Sequence, residues 1–190
     1  MRRLAELLYR TGNLPFLITL FLLNAAFVLF ILPAGLKEIE NRAGKQVKLL
    51  DVQFGYDITQ VRAILAEYTP EAIAQTLHFS AVTDTAFPIS YGLLFVALLA
   101  YIFKDIPIKT PGFRYLYLYP LWIIAIDLAE NYLIRNVLRS YPALQERDVA
   151  LASAFTVIKW LSVAVFFIAL LYGWWLRLKG NIGKQQDIKT

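Results

Sequence analysis

The sequence predicts an all-α fold: a four-transmembrane-helix bundle forming one domain over residues 1–190. Three observations carry that prediction. The chain is 58% hydrophobic and only 17% charged, where an ordinary soluble domain is about 25% charged. Its mean hydropathy is +0.54. Its apolar residues gather in four runs, each near the ~20 residues that cross a ~30 Å hydrocarbon core. Buried helices of a soluble bundle should carry a polar stripe, whereas the first two runs contain no charge at all.

The spans follow in order. Residues 14–32 (LPFLITLFLLNAAFVLFIL) form the first, uncharged. They exceed the 7–15 apolar residues of a signal-peptide core, and Leu32-Pro33-Ala34-Gly35 is a poor cleavage site. An uncleaved signal anchor is therefore expected. Residues 86–103 form the second span, also uncharged. Residues 115–134 form the third and carry Asp127 and Glu130. Residues 149–176 form the fourth, with Lys159 as their one charge.

Orientation follows from Lys and Arg. The flank 1–13, the loop 104–114 and the tail 177–190 share one side and hold ten basic against three acidic residues. The opposite segments, 33–85 and 135–148, hold eight basic against nine acidic. The positive-inside rule places both termini in the cytoplasm of a cell with this protein in its inner (plasma) membrane. Aromatic belts are expected at Tyr115, Tyr117, Tyr119 and Trp122, and at Tyr172, Trp174 and Trp175. The net charge of +5 is thus a topology signal. The basic residues form no single face of the kind that binds nucleic acid.

The segment 33–80 is the one sizeable piece between spans, and it predicts a small helical cap on the outer face. Its part 37–48 is charged and reads as irregular or frayed helix. Asp57-Ile58-Thr59-Gln60 has the form of a capping box. Ile58, Val61, Ile64, Leu65 and Tyr68 then fall on one face. Thr69-Pro70-Glu71 starts a second helix that runs into span two, with Pro88 as a kink. The cap reads as a lid on the outer membrane face, as packing over helix ends, or as an interfacial helix.

Ionisable residues at membrane depth cost about 2.5–3.5 kcal/mol each on insertion scales and are functional candidates by default. Asp127, Glu130 and Asn131 share a helix face. Ser153, Thr156 and Trp160 form a stripe with Lys159 at its margin; Ser80, Asp84, Phe87 and Tyr91 form another; Asn24 comes from span one. At 1.5 Å per residue, Asn24, Tyr91, Asp127, Glu130, Thr156 and Lys159 all lie about 9–14 Å below the outer ends of their spans. That agreement predicts a shared polar pocket. The chain has no cysteine and one histidine, His78. This excludes disulfides, thiol catalysis and multi-histidine metal sites. No cofactor and no metal centre is expected.

The patterns Asp84-x-x-Phe87-Pro88, Asp127-x-x-Glu130-Asn131 and Ser153-x-x-Thr156-x-x-Lys159-Trp160 resemble an uncharacterised family of small bacterial and archaeal four-span integral membrane proteins. The resemblance covers residues 50–175 and implies the four-helix architecture; it implies no activity.

The leading functional expectation is an outward-opening intramembrane pocket that binds a small solute, ion or lipid headgroup. Asp127, Glu130 and Lys159 are its charged core; Asn24, Asp84, Tyr91, Asn131 and Thr156 line it. The alternatives are a lipid-modifying enzyme, with Asp127 or Glu130 as general acid/base and Lys159 stabilising charge, and an accessory subunit whose polar cluster only fixes helix register. The lipid bilayer is the expected partner, and a transport path through four spans would need a homo-oligomer.

Overall fold

The computed structural model describes residues 7–8, 10–104 and 111–187, without the side chains of 111–114 and 180–187. The charges Arg2, Arg3, Glu6, Asp105, Lys109 and Lys189, which entered the orientation argument, lie outside the described residues. Five helices follow one another: α1 Leu14–Ala43, α2 Ile58–Leu65, α3 Pro70–Phe103, α4 Tyr119–Ser140 and α5 Glu146–Asp187. There is no strand among the described residues. Three helices are long and apolar enough to cross a membrane: α1, α3 and α5 over Glu146–Lys179. The 22 residues of α4 are long enough, at about 33 Å, but Asp127, Glu130 and Arg135 reduce its apolar character.

The first span does not end at residue 32. Pro33 would ordinarily break a helix, because it lacks an N–H and its ring presses on the carbonyl four residues back. Here a π-helical stretch, Phe27–Ile31, precedes it, and the Leu32 N–H reaches back to the Phe27 carbonyl. The widened turn absorbs the clash, and helix continues to Ala43, where Gly44 adopts φ +71° and ends it. The charged stretch 37–43 is therefore ordered helix rather than frayed.

The helix starts of the middle segment behave as their residues dictate. Asp57 accepts from the Gln60 N–H while the Gln60 side chain accepts from the Asp57 N–H, a complete capping box. Thr69 accepts from the Ala72 N–H, with Pro70 at the first helical position. From there α3 runs unbroken for 34 residues with Pro88 inside it. The apolar face of α2 does not face lipid. Val61 and Leu65 are buried with Ile39, Tyr68, Phe79, Val137 and Val149. That cluster ties α2 to the ends of α1, α3, α4 and α5.

Packing sets the cross-section. α3 packs on α4, α4 on α5, and α3 also touches α5. α1 packs on α3 and has no substantial contact with α4 or α5. The long helices thus form an arc, α1–α3–α4–α5, with a cleft between α1 and α5. Of the residues expected in the aromatic belts, Tyr115, Trp122, Tyr172, Trp174 and Trp175 are exposed, whereas Tyr117 is buried. It packs with Phe103, Ile123 and Phe166. Tyr119 is only partly buried and donates to the Ser162 carbonyl.

Candidate functional site

A cavity of about 400 Å³ occupies the cleft, walled by α1, α3, α4, α5 and residues 51–52. That size is ordinary for a small-molecule site. Its apolar wall includes Val28, Phe87, Leu94, Phe95, Trp160 and Val163; its polar wall is Asn24, Asp51, Asp84, Tyr91, Asp127, Asn131 and Lys159. From Asp84 to Leu94 the α3 wall runs about 15 Å along the helix. The carboxylate of Asp84 thus stands at one end, and Leu94 and Phe95 at the other. Val28, Val52 and Trp160 are exposed at the rim.

The polar wall is built by short-range geometry on α4. Asp127 and Asn131, four residues apart, both line the cavity. The Asp127 Oδ2 accepts from the Tyr91 hydroxyl at 2.5 Å, and Oδ1 accepts from Asn131 Nδ2 at 3.0 Å. Asn131 Nδ2 also donates to the Asp84 backbone carbonyl at 2.7 Å. Pro88 explains why that carbonyl is free. It is four residues further along α3 and has no N–H to give it. One proline and one asparagine therefore lock α3 to α4 at the level of the site.

Glu130 lies elsewhere. At 3.6 residues per turn it points about 100° away from Asn131, toward α5. It is fully buried and does not reach the cavity. Its Oε1 accepts from Thr156 Oγ1 at 2.7 Å, and its Oε2 meets Lys159 Nζ at 2.5 Å. Thr156, also absent from the cavity wall, carries a single hydroxyl proton and spends it on Glu130. Lys159 does reach the wall, yet its ammonium is held by Glu130 and by the Asp51 carbonyl at 3.1 Å. Of the expected pocket residues, Asn24, Asp84, Tyr91, Asp127, Asn131 and Lys159 share one cavity. Glu130 and Thr156 form the layer that holds Lys159 in place. Chemistry on a bound molecule would therefore fall to Asp127 and Tyr91, which are in contact at the wall.

Asp51 and Tyr56 belong to the site and were not among the expected residues. The segment 51–56 lies along α5: the Tyr56 N–H donates to Ser153 Oγ at 2.8 Å, and its hydroxyl lies 3.4 Å from Thr156 Oγ1. Gly55, at φ +89°, faces Val157 and Ser153. A side chain there would be strained in this left-handed backbone and would crowd Val157. The Asp51 carboxylate lies beside its own N–H, that of Val52 and the Lys159 ammonium, all of which favour its charged form. Burial nevertheless pushes it above the ordinary carboxylate range, outweighing the nearby Lys159. The one signal in the sequence was an acid set among Leu49, Leu50, Val52 and Phe54. A small cavity of about 20 Å³, lined by Asp51, Asp84 and Asn131 and by Leu65 of α2, has room for about one water.

Asn24 completes the wall from α1. Its Nδ2 donates to the Leu20 carbonyl at 2.8 Å and to the Ser90 carbonyl at 3.2 Å. Its Oδ1 has no partner, although the residue is only 7% exposed.

Neither the family models, nor the curated proteins, nor the solved structures compared with this chain match it.

Proposed function

We propose that the chain is a four-span protein of the inner membrane, with both termini cytoplasmic and α2 forming an outer cap. In this reading its intramembrane cavity binds a small solute, ion or lipid headgroup. The observation that carries the proposal is the cavity itself, a single volume that brings Asp51, Asp84, Asp127 and Lys159 from three helices and a distant loop to one wall. In this reading Asp127 and Lys159 lie at membrane depth, where charges are costly, and a closed structural lock would need no volume beside them. The four-span count is supported by the position of α4 between α3 and α5. The orientation is supported by the ten-to-three excess of basic residues on the side of the termini.

The test is native mass spectrometry of the protein released from a mild detergent. Wild type should carry a bound small molecule, and Val163→Trp, which fills the cavity from α5, should lose it with unchanged helicity by circular dichroism. Equal spectra with no adduct in either would leave the cluster as a lock between helices, the accessory-subunit role.

A second reading, a lipid-modifying enzyme, is favoured by the Tyr91 hydroxyl on Asp127 at the cavity wall, a pair arranged to move a proton. Lipid extracts from cells with and without the gene should then differ, and Asp127→Asn should reproduce the gene-less profile. Matching extracts would rule that reading out.

A further inference from the structure

The wall of the cavity has spent most of its donors and kept its acceptors. The Asn131 and Asn24 amide N–H groups are committed to the backbone carbonyls of Asp84, Leu20 and Ser90, and Asn131 also to Asp127. The Tyr91 hydroxyl is committed to Asp127. The Lys159 ammonium is committed to Glu130, behind the wall, and to the Asp51 carbonyl. Arg135, the nearest guanidinium on α4, is committed to Ser80. The Trp160 indole N–H and the third N–H of the Lys159 ammonium are the side-chain wall donors outside this set. Three carboxylates, Asp51, Asp84 and Asp127, share the wall with one ammonium that a fourth carboxylate already neutralises.

Charge and hydrogen-bonding capacity therefore ask for the same occupant, a cation that donates hydrogen bonds. A metal ion is disfavoured by geometry: among the described residues no three acidic or histidine side chains gather closely enough to hold one. The α3 side of the remaining wall carries aromatic rings among its aliphatic residues. Phe87, Tyr91 and Phe95 form a continuous edge of rings, with centroids 5.3 Å and 5.1 Å apart. Ring faces attract ammonium groups. The cleft between α1 and α5 opens sideways past Val28 and Trp160, where a lipid chain could leave the cavity without crossing a polar surface.

We infer that the occupant is a protonated amine on an apolar chain, its ammonium held at the acidic wall that Asp51, Asp84 and Asp127 give the cavity and its chain leaving between α1 and α5. This rests on the cavity being a binding site, and names the class of molecule it takes.

The probe is radiolabelled dodecylamine, measured by scintillation proximity on protein in maltoside micelles. Dodecanol, decanoate and methylamine serve as competitors. Dodecylamine should bind saturably. Dodecanol, decanoate and methylamine should each compete at least about tenfold more weakly, the effect of losing one charged contact or the chain. Asp51→Asn and Asp84→Asn should each weaken binding by about tenfold. Asp51 lies in a loop, so its variant keeps the test independent of helix packing. Val163→Trp should abolish binding. If decanoate or dodecanol competes as well as dodecylamine, or if both aspartate variants bind it unchanged, the amine assignment is wrong while the cavity remains a site. If methylamine competes equally, the apolar chain is wrong. If dodecylamine fails to bind saturably and wild type also carries no adduct in native mass spectrometry, the assignment and the binding reading fall together.

Discussion

Replacing Glu130 by Leu removes one half of an ion pair that the structure places almost wholly out of solvent. The Glu130 side chain is 0% exposed and that of Lys159 is 9% exposed, with Oε2 and Nζ 2.5 Å apart. Breaking a buried pair from one side costs about 3–5 kcal/mol, because the partner charge remains without compensation. In Glu130→Leu the ammonium keeps only the Asp51 carbonyl as a direct partner. In Lys159→Met the carboxylate keeps only the Thr156 hydroxyl. Each single variant should therefore lose about 3–5 kcal/mol, a fall of roughly 6–20 °C in midpoint for a chain of this size. The double variant removes both charges and their desolvation cost, and should lie within about 1 kcal/mol of wild type. The assay is unfolding in mixed micelles followed by far-ultraviolet circular dichroism, read as a double-mutant cycle. Additive losses, with a coupling below about 0.5 kcal/mol, would refute the claim that the two charges form one unit. The double variant also bears on the site. It removes a positive charge from the cavity wall and leaves the three aspartates, so dodecylamine should bind it at least as tightly as wild type.

Asp51 makes a prediction about pH. Its folded carboxyl sits above the ordinary value of 3.8 because it is buried. The folded state then holds the proton in a range where the unfolded chain has lost it, so the contribution to stability falls as pH rises above about 3.8. Asp51→Asn, which cannot ionise, should be at least as stable as wild type at pH ~8, with the difference closing toward pH ~4; a variant less stable at pH ~8 would contradict this. Gly92 lets α3 approach α4, since a methyl group there would overlap the Ile124 side chain. Gly92→Ala should cost about 1–3 kcal/mol by overpacking, seen as a lower thermal midpoint in detergent; an unchanged midpoint would show that Ile124 moves aside freely. Because the chain has no cysteine, single thiols report orientation cleanly. In intact cells a membrane-impermeant maleimide should label Lys45→Cys and spare Lys179→Cys, and the reverse pattern would overturn the proposed topology.

Much of this protein was legible in one dimension. The apolar runs, the capping box at Asp57, the Thr69-Pro70 start and the shared face of Asp127 and Asn131 are local consequences of side-chain chemistry and helical period. They are decided within a few residues. The division of labour within the acidic cluster was not local. Asp127 and Glu130 are three residues apart and chemically alike, yet one lines the cavity and the other is sealed behind it, because the rotation of α4 is set by what packs on its two sides. Asp51 was hidden for a related reason. A loop has no period to betray its facing, and its carbonyl meets Lys159 from 108 residues away. The cleft between α1 and α5 is likewise a property of packing. Sequence alone determined that Asp127, Glu130 and Lys159 would sit within long, largely apolar runs. Tertiary structure decided which of those charges neutralise each other and which are left facing a cavity, since hydropathy sets the depth of a residue and only helix contacts set its neighbours.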